Sequence, residues 1–153
     1  MSGGGAGAAG ARTNLHASCV AVEGEAGWRA LLILGPSGSG KSALALDLIS
    51  RGARLVADDR TDVTLEGGRL IASAPAAIAG MIEARSIGLL RLPRLESAEV
   101  AFAADLSATE TERLPHLREL RLLDVTVPRI LCAGNPGAAP ALMALLRGGG
   151  LVA

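Results

Sequence analysis

Apolar residues in this chain come in short runs, and what begins and ends each run sorts the elements. Residues 2–10 are glycine and alanine almost throughout, with too little side-chain surface to offset the entropy of ordering, so residues 1–13 read as a flexible tail. The run Leu15-His16-Ala17-Ser18-Cys19-Val20-Ala21-Val22 reads as one strand, residues 23–27 as a turn, and residues 28–34 as the returning strand of a hairpin. Residues 42–51 form a helix that is apolar on nearly every side apart from Asp47, which predicts an enclosed helix; Gly52 is the residue that stops it. A short strand over residues 54–57 ends in Asp58-Asp59, and residues 61–65 and 69–73 flank Glu66-Gly67-Gly68 as a second hairpin.

Pro75 interrupts this regularity. Residues 78–84 read as irregular or helical, 87–92 as extended, and 98–106 as a strand by apolar content. Residues 109–119 have helical character that Pro115 limits. The β-branched Val125, Thr126 and Val127 make residues 120–130 one strand, and residues 138–146 close the chain as a helix.

Between the returning strand of the first hairpin and the first helix stand Gly35-Pro36-Ser37-Gly38-Ser39-Gly40-Lys41-Ser42, which complete the pattern G-x-x-x-x-G-K-[ST]. Strand, glycine loop and helix form the setting in which that pattern binds phosphate. Glycines 35, 38 and 40 allow positive φ and turn several N–H groups toward phosphate oxygens, and the helix adds its positive dipole end. Lys41 would reach the β- and γ-phosphates, and the Ser42 hydroxyl would ligate Mg²⁺ arriving with the nucleotide. Hairpins ahead of such a loop predict an α/β phosphate-loop nucleotide-binding domain with a mixed sheet, not an all-parallel one.

Composition narrows the partners. A length of 153 residues fits one domain, expected over residues 14–153, with no second domain. Lys plus Arg equals Asp plus Glu at 15 each, and one Trp, one Phe and no Tyr offer little for base stacking, so nucleic acid is not an expected partner. No apolar run approaches the roughly 20 residues that span a bilayer, and no secretory leader pattern opens the chain, so a cytoplasmic protein without a membrane partner is expected. Cys19 and Cys132 read as small buried residues, and His16 and His116 begin no zinc pattern.

A phosphoryl transferase needs a cradle for its donor, a carboxylate near the metal and a proton acceptor. Asp58-Asp59 ends the strand that returns the chain to the carboxyl edge of the sheet, beside the phosphates. Side chains alternate along a strand, so both carboxylates can face the nucleotide only if the strand ends by Asp58. Glu83 and Arg85 share a face if extended, where they could hold Mg²⁺ and a phosphate together, and otherwise read as a surface charge pair.

Leu15-His16-Ala17, the loop from Gly35 to Ser42, Arg51-Gly52-Ala53-Arg54-Leu55-Val56-Ala57-Asp58-Asp59 and Glu83-Ala84-Arg85-Ser86-Ile87-Gly88 occur in an order that resembles HPr kinase/phosphorylase, over about residues 14–130. The likeness is to the short proteobacterial form, which consists of the catalytic domain alone. It implies an ATP-dependent serine kinase acting on HPr, the small phosphocarrier protein of the phosphotransferase system, on a fold similar to the nucleotide domain of phosphoenolpyruvate carboxykinase. It also implies a homo-oligomer, which in longer members is often a hexamer. Carried over by position, Lys41 grips the phosphates, Ser42 and Glu83 hold Mg²⁺, Asp59 is the acid/base that takes the serine proton, Asp58 supports it, and His16 and Arg113 belong to the same site.

Three departures accompany the resemblance. Ser86 stands where the pattern has glycine; the Pro-Val-x-x-Gly-Arg-Asn-like segment tied to phosphorolysis of phosphoserine is not recognisable near Val127-Pro128 or Asn135-Pro136; and the regulatory domain of longer members has no counterpart. Two other functions use the same loop: a small-molecule kinase with an arginine-bearing lid, and a nucleotide-binding sensor without rapid transfer. The absence of Asn-Lys-x-Asp argues against a guanine-specific switch.

Overall fold

Burial of both faces explains why two of the strands show no alternation. In the computed structural model, which describes residues 10–152, strands β2 (Ser18–Gly24) and β3 (Gly27–Leu34) pair antiparallel at the middle of a nine-stranded sheet. The strand order is β1 (Arg12–Leu15), β5 (Thr61–Glu66), β6 (Arg69–Ser73), β9 (Ser97–Asp105), β3, β2, β4 (Arg54–Ala57). Strand β11 (Val125–Leu131) pairs with the C-terminal end of β9, and β10 (Arg118–Leu122) pairs with β11. The β3–β9 and β9–β11 pairings are parallel and the others antiparallel, so the sheet is mixed, as the hairpins and loop require.

The period of two sends alternate side chains into two cores. Val20, Val22, Leu31, Ile33 and Phe102 meet helices α1 (Lys41–Ser50) and α2 (Ala138–Leu146), where Leu48, Leu142 and Leu146 are buried. Cys19, Ala21, Ala30 and Leu32 face the other way, against Val63, Leu65, Leu70 and Ala72 of the β5–β6 hairpin. The sheet therefore curls over its own second face. Arg29 binds the layers at one end: its guanidinium lies 5.1 Å from the Phe102 ring centroid and donates to the Leu145 carbonyl of α2 at 2.9 Å.

Several expectations are corrected. The predicted strand over residues 15–22 is two strands: β1, which begins at Arg12 inside the expected tail, pairs with β5, and the chain bends at His16 and Ala17 before β2 joins β3. The rest of the expected tail, residues 1–9, lies outside the described residues. Helix α1 is not enclosed, since only Lys41, Ala45 and Leu48 are buried while Ala43, Asp47 and Ser50 are exposed. Its end is as expected: Gly52 takes φ 114° and donates to the Ile49 carbonyl at 3.1 Å.

Residues 78–84 end in a strand, β7 (Met81–Ala84), which pairs with β8 (Gly88–Arg91) in a separate two-stranded flap. No helix forms over residues 109–119. The Glu110 carboxylate accepts the N–H groups of Thr111 and Glu112 and a double hydrogen bond from Arg118 at 3.1 Å, and the Arg118 bond chiefly holds it below the usual carboxylate range. The single strand expected over residues 120–130 is the β10–β11 hairpin, whose turn residues Leu123 and Asp124 take φ 48° and 64°. That geometry suits glycine or asparagine, so Leu-Asp concealed it.

Leu48 is fully buried between the sheet and α2, so Leu48→Ala should lower unfolding free energy by about 2–5 kcal/mol in a urea titration, and a loss below about 1 kcal/mol would contradict this packing. Burial raises the pKa of both thiols, that of Cys132 to about 11. Ellman's reagent at pH 8 should therefore modify Cys19 and Cys132 only after denaturant is added; rapid reaction of either in the native protein would contradict it.

Candidate active site

The phosphate loop follows β3 and enters α1, as the pattern demands. Gly35, Gly38 and Gly40 take φ 150°, 81° and 98°, all inaccessible at low cost to other residues. Gly35 is also held by space: a Cβ there would lie 2.5 Å from Ser39 Oγ and 3.1 Å from the Leu106 Cβ. Lys41 is buried, and its Nζ donates to the carbonyls of Gly35 at 2.9 Å and Pro36 at 3.0 Å. An ammonium group has three protons, so one remains for a phosphate oxygen.

Asp58 ties three elements together. Its Oδ1 accepts the hydroxyls of Ser18 in β2 and Ser42 in α1, each at 2.7 Å, and its Oδ2 accepts the Glu83 N–H of β7 at 3.2 Å. Strand β4 stops at Ala57, which meets the condition for both acidic residues to face one site. The chain then makes a three-residue turn closed by Arg60 N–H to the Asp58 carbonyl at 2.7 Å, with Asp59 at its centre at φ 67°. Such a γ-turn is strained for a residue with a side chain. It directs Asp59 toward His16, whose Nε2 is 3.1 Å from Asp59 Oδ1. His16 stands at the bend between β1 and β2, so the break in the expected strand is what presents it.

Two adjoining cavities meet at this turn. One, of about 520 Å³, is lined by the loop residues Ser37, Gly38, Gly40, Lys41 and Ser42, with His16 and Arg85. The other, of about 680 Å³, lies against the flap, with Ile78, Met81, Ile87 and Leu89 on its wall. Ser42, Asp59 and Glu83 line both. The structure thus gathers His16, Lys41, Ser42, Asp58, Asp59 and Glu83. It does not bring Arg113 there: that side chain lines a separate cavity of about 630 Å³ beside His116, Arg118 and Asn135.

The donor set fits Mg-ATP. Loop amides and the Lys41 ammonium suit phosphate oxygens, and Ser42 Oγ with the Asp58 and Glu83 carboxylates supplies oxygen ligands of the kind Mg²⁺ combines with nucleotide phosphates. Ser86, the departure from the glycine pattern, keeps a left-handed φ of 66° at the flap turn. Sequence reasoning missed Ser18, because a serine inside an apolar strand carries no spacing signal. Among the described residues Arg85 forms no ion pair, and it lies on the phosphate side.

The chain is similar to HPr kinase/phosphorylase of Clostridium tetani (strain Massachusetts / E88), 47% identical over 83 residues, covering 54% of this chain and 26% of that protein. With the same-named protein of Geobacillus thermodenitrificans (strain NG80-2) it shares 36% identity over 120 residues, 70% of this chain and 39% of that protein. It therefore spans well under half the length of these curated relatives. The solved structure of the Hpr(Ser) kinase/phosphatase from Coxiella burnetii superposes with a TM-score of 0.72 at 29% identity, covering 88% of each chain. The mixed α/β fold is thus shared with that structure. The model of the HPr Serine kinase C-terminal domain matches residues 8–100, more than half of the sequence, and it is to this family that the chain belongs.

Proposed function

We propose that this chain is an ATP-dependent serine kinase that phosphorylates HPr, the small phosphocarrier protein of the phosphotransferase system. The observation that carries the reading is the placement of Asp59. Its strained turn holds a carboxylate on the wall shared by the phosphate cavity and the flap cavity, while its neighbour Asp58 anchors Ser42. Membership of the HPr serine kinase family and the names of the relatives support the choice of acceptor.

Mg²⁺, when bound with ATP, supplies charge neutralisation at the phosphates. Ser42 has its hydroxyl proton committed to Asp58, which leaves its lone pairs for the metal, and Glu83 offers a second oxygen ligand. Lys41 clamps the loop and lends a proton to a phosphate oxygen. Asp59 uses Oδ1 for His16 and keeps Oδ2 for the acceptor. As the serine oxygen bonds to the γ-phosphorus and the bond to the bridging oxygen breaks, the serine proton passes to Asp59 and ADP leaves. Arg85, free on the phosphate side, is placed to counter charge on the transferred group; Arg113 has no part in this arrangement. Ile87 and Leu89, 81% and 67% exposed on the flap, give a protein acceptor an apolar surface beside the site. The homo-oligomer that family resemblance implies belongs to the same reading.

Labelled ATP with purified HPr should place label on a serine, and failure to label HPr while a small metabolite is labelled would overturn the choice of acceptor. Lys41→Ala should weaken ATP binding by about 10- to 100-fold in calorimetry, the value of a hydrogen bond to a charged group. Asp59→Asn should keep ATP affinity while turnover falls by about 10²- to 10⁴-fold, and equal turnover would remove Asp59 from its role. Asp59→Gly should likewise lose turnover yet unfold at higher urea, by about 1 kcal/mol, because glycine relieves the positive φ.

A further inference from the structure

Asp58 accepts three hydrogen bonds, and their distribution over its two oxygens is uneven. Oδ1 receives both hydroxyls, from Ser18 and Ser42, at 2.7 Å each; Oδ2 receives only the Glu83 N–H at 3.2 Å. A carboxylate oxygen has two lone-pair directions, so Oδ1 is filled and Oδ2 keeps one open. Asp58 itself is 7% exposed and lines the flap cavity together with Ser42 and Glu83, the other two members of the donor set offered to Mg²⁺ above.

The two hydroxyls are not equivalent. Ser42 is half-buried at the first turn of α1 and lines both cavities, so its oxygen is shared with whatever binds there. Ser18 has no exposed surface, although it backs the inner wall of the phosphate cavity, and its backbone is fixed in β2 opposite Ile33 of the central β3 strand. Its single proton is given to Asp58. Of the two hydroxyls on Oδ1, that of Ser18 is therefore the one fixed by the central sheet.

We infer that Ser18 is a positioning residue for the metal: by filling Oδ1 from inside the sheet, it fixes the plane of the Asp58 carboxylate so that the open direction of Oδ2 joins Ser42 and Glu83 around Mg²⁺ brought by ATP. This inference rests on the kinase reading and deepens it. The side chain acts on the metal through Asp58.

Calorimetry with ATP in MgCl2, and with ATP in EDTA, gives the factor by which Mg²⁺ tightens ATP binding. Ser18→Ala should reduce that factor by about tenfold, the loss of one hydrogen bond to a charged group, with affinity in EDTA unchanged. Ser18→Cys, close in volume but a weak donor, should fall with the alanine variant, and thermal melting reports that each variant is folded. A factor equal to wild type in both variants, or recovered by Ser18→Cys, would overturn the inference by showing that packing alone is at stake. A wild-type protein that gains no ATP affinity from Mg²⁺ would instead overturn the kinase reading, and with it the role given to Ser18.

Discussion

One carboxylate joins the parts of this fold that have to stay in register for phosphate chemistry. Asp58 holds the middle of the sheet through Ser18, the first turn of the loop helix through Ser42, and the flap through the backbone of Glu83. An acceptor buried to that degree costs several kcal/mol to strand, so the three donors and the carboxylate stabilise each other's positions. The phosphate loop is then suspended between two fixed points: its β3 end, where Leu106 N–H donates to the Leu34 carbonyl at 2.8 Å, and the helix end tied to Asp58. Lys41 cross-braces the loop from within by gripping the carbonyls of Gly35 and Pro36.

Strain lies next to this anchor. Asp59 occupies a left-handed conformation for which glycine is the low-energy choice, and Ser86 does the same across the cavity at the flap turn. The rigid neighbour makes the strained one sustainable: Arg60 N–H closes the turn on the Asp58 carbonyl, while β5 begins directly afterwards and is fixed by Thr61 donating to the Ala17 carbonyl at 2.9 Å. Ala17 belongs to the same bend that presents His16. Acid, histidine and anchor are therefore set by a few residues of backbone crossing the edge of one sheet, and the helices contribute chiefly by covering one face.

What could be read in advance follows the backbone demands. Gly35, Gly38, Gly40 and Gly52 announced the loop and the end of α1, and Gly67-Gly68, at φ 59° and 77°, announced the β5–β6 turn. Where other residues adopt the same geometry, the sequence misleads: Leu123-Asp124 hid a hairpin, and Glu110 satisfied backbone N–H groups that a helix would otherwise have used. His16, Lys41, Ser42, Asp58, Asp59 and Glu83 were legible as candidates and do meet in space, whereas Arg113 shared only a loose local context and lies in another cavity. Ser18 was invisible because its significance is a contact across 40 residues of chain, with no local pattern to mark it.

The Asp58 carboxylate is the proposed link between fold and metal. Asp58→Asn, nearly identical in shape, separates that role from packing, and the most direct measurement is the affinity for ATP with MgCl2 against EDTA, made on variant protein whose melting curve shows it folded. ATP should still bind the variant in EDTA as it does the wild type, and the tightening by Mg²⁺ should be lost. Undiminished tightening by Mg²⁺ in that variant would contradict that link.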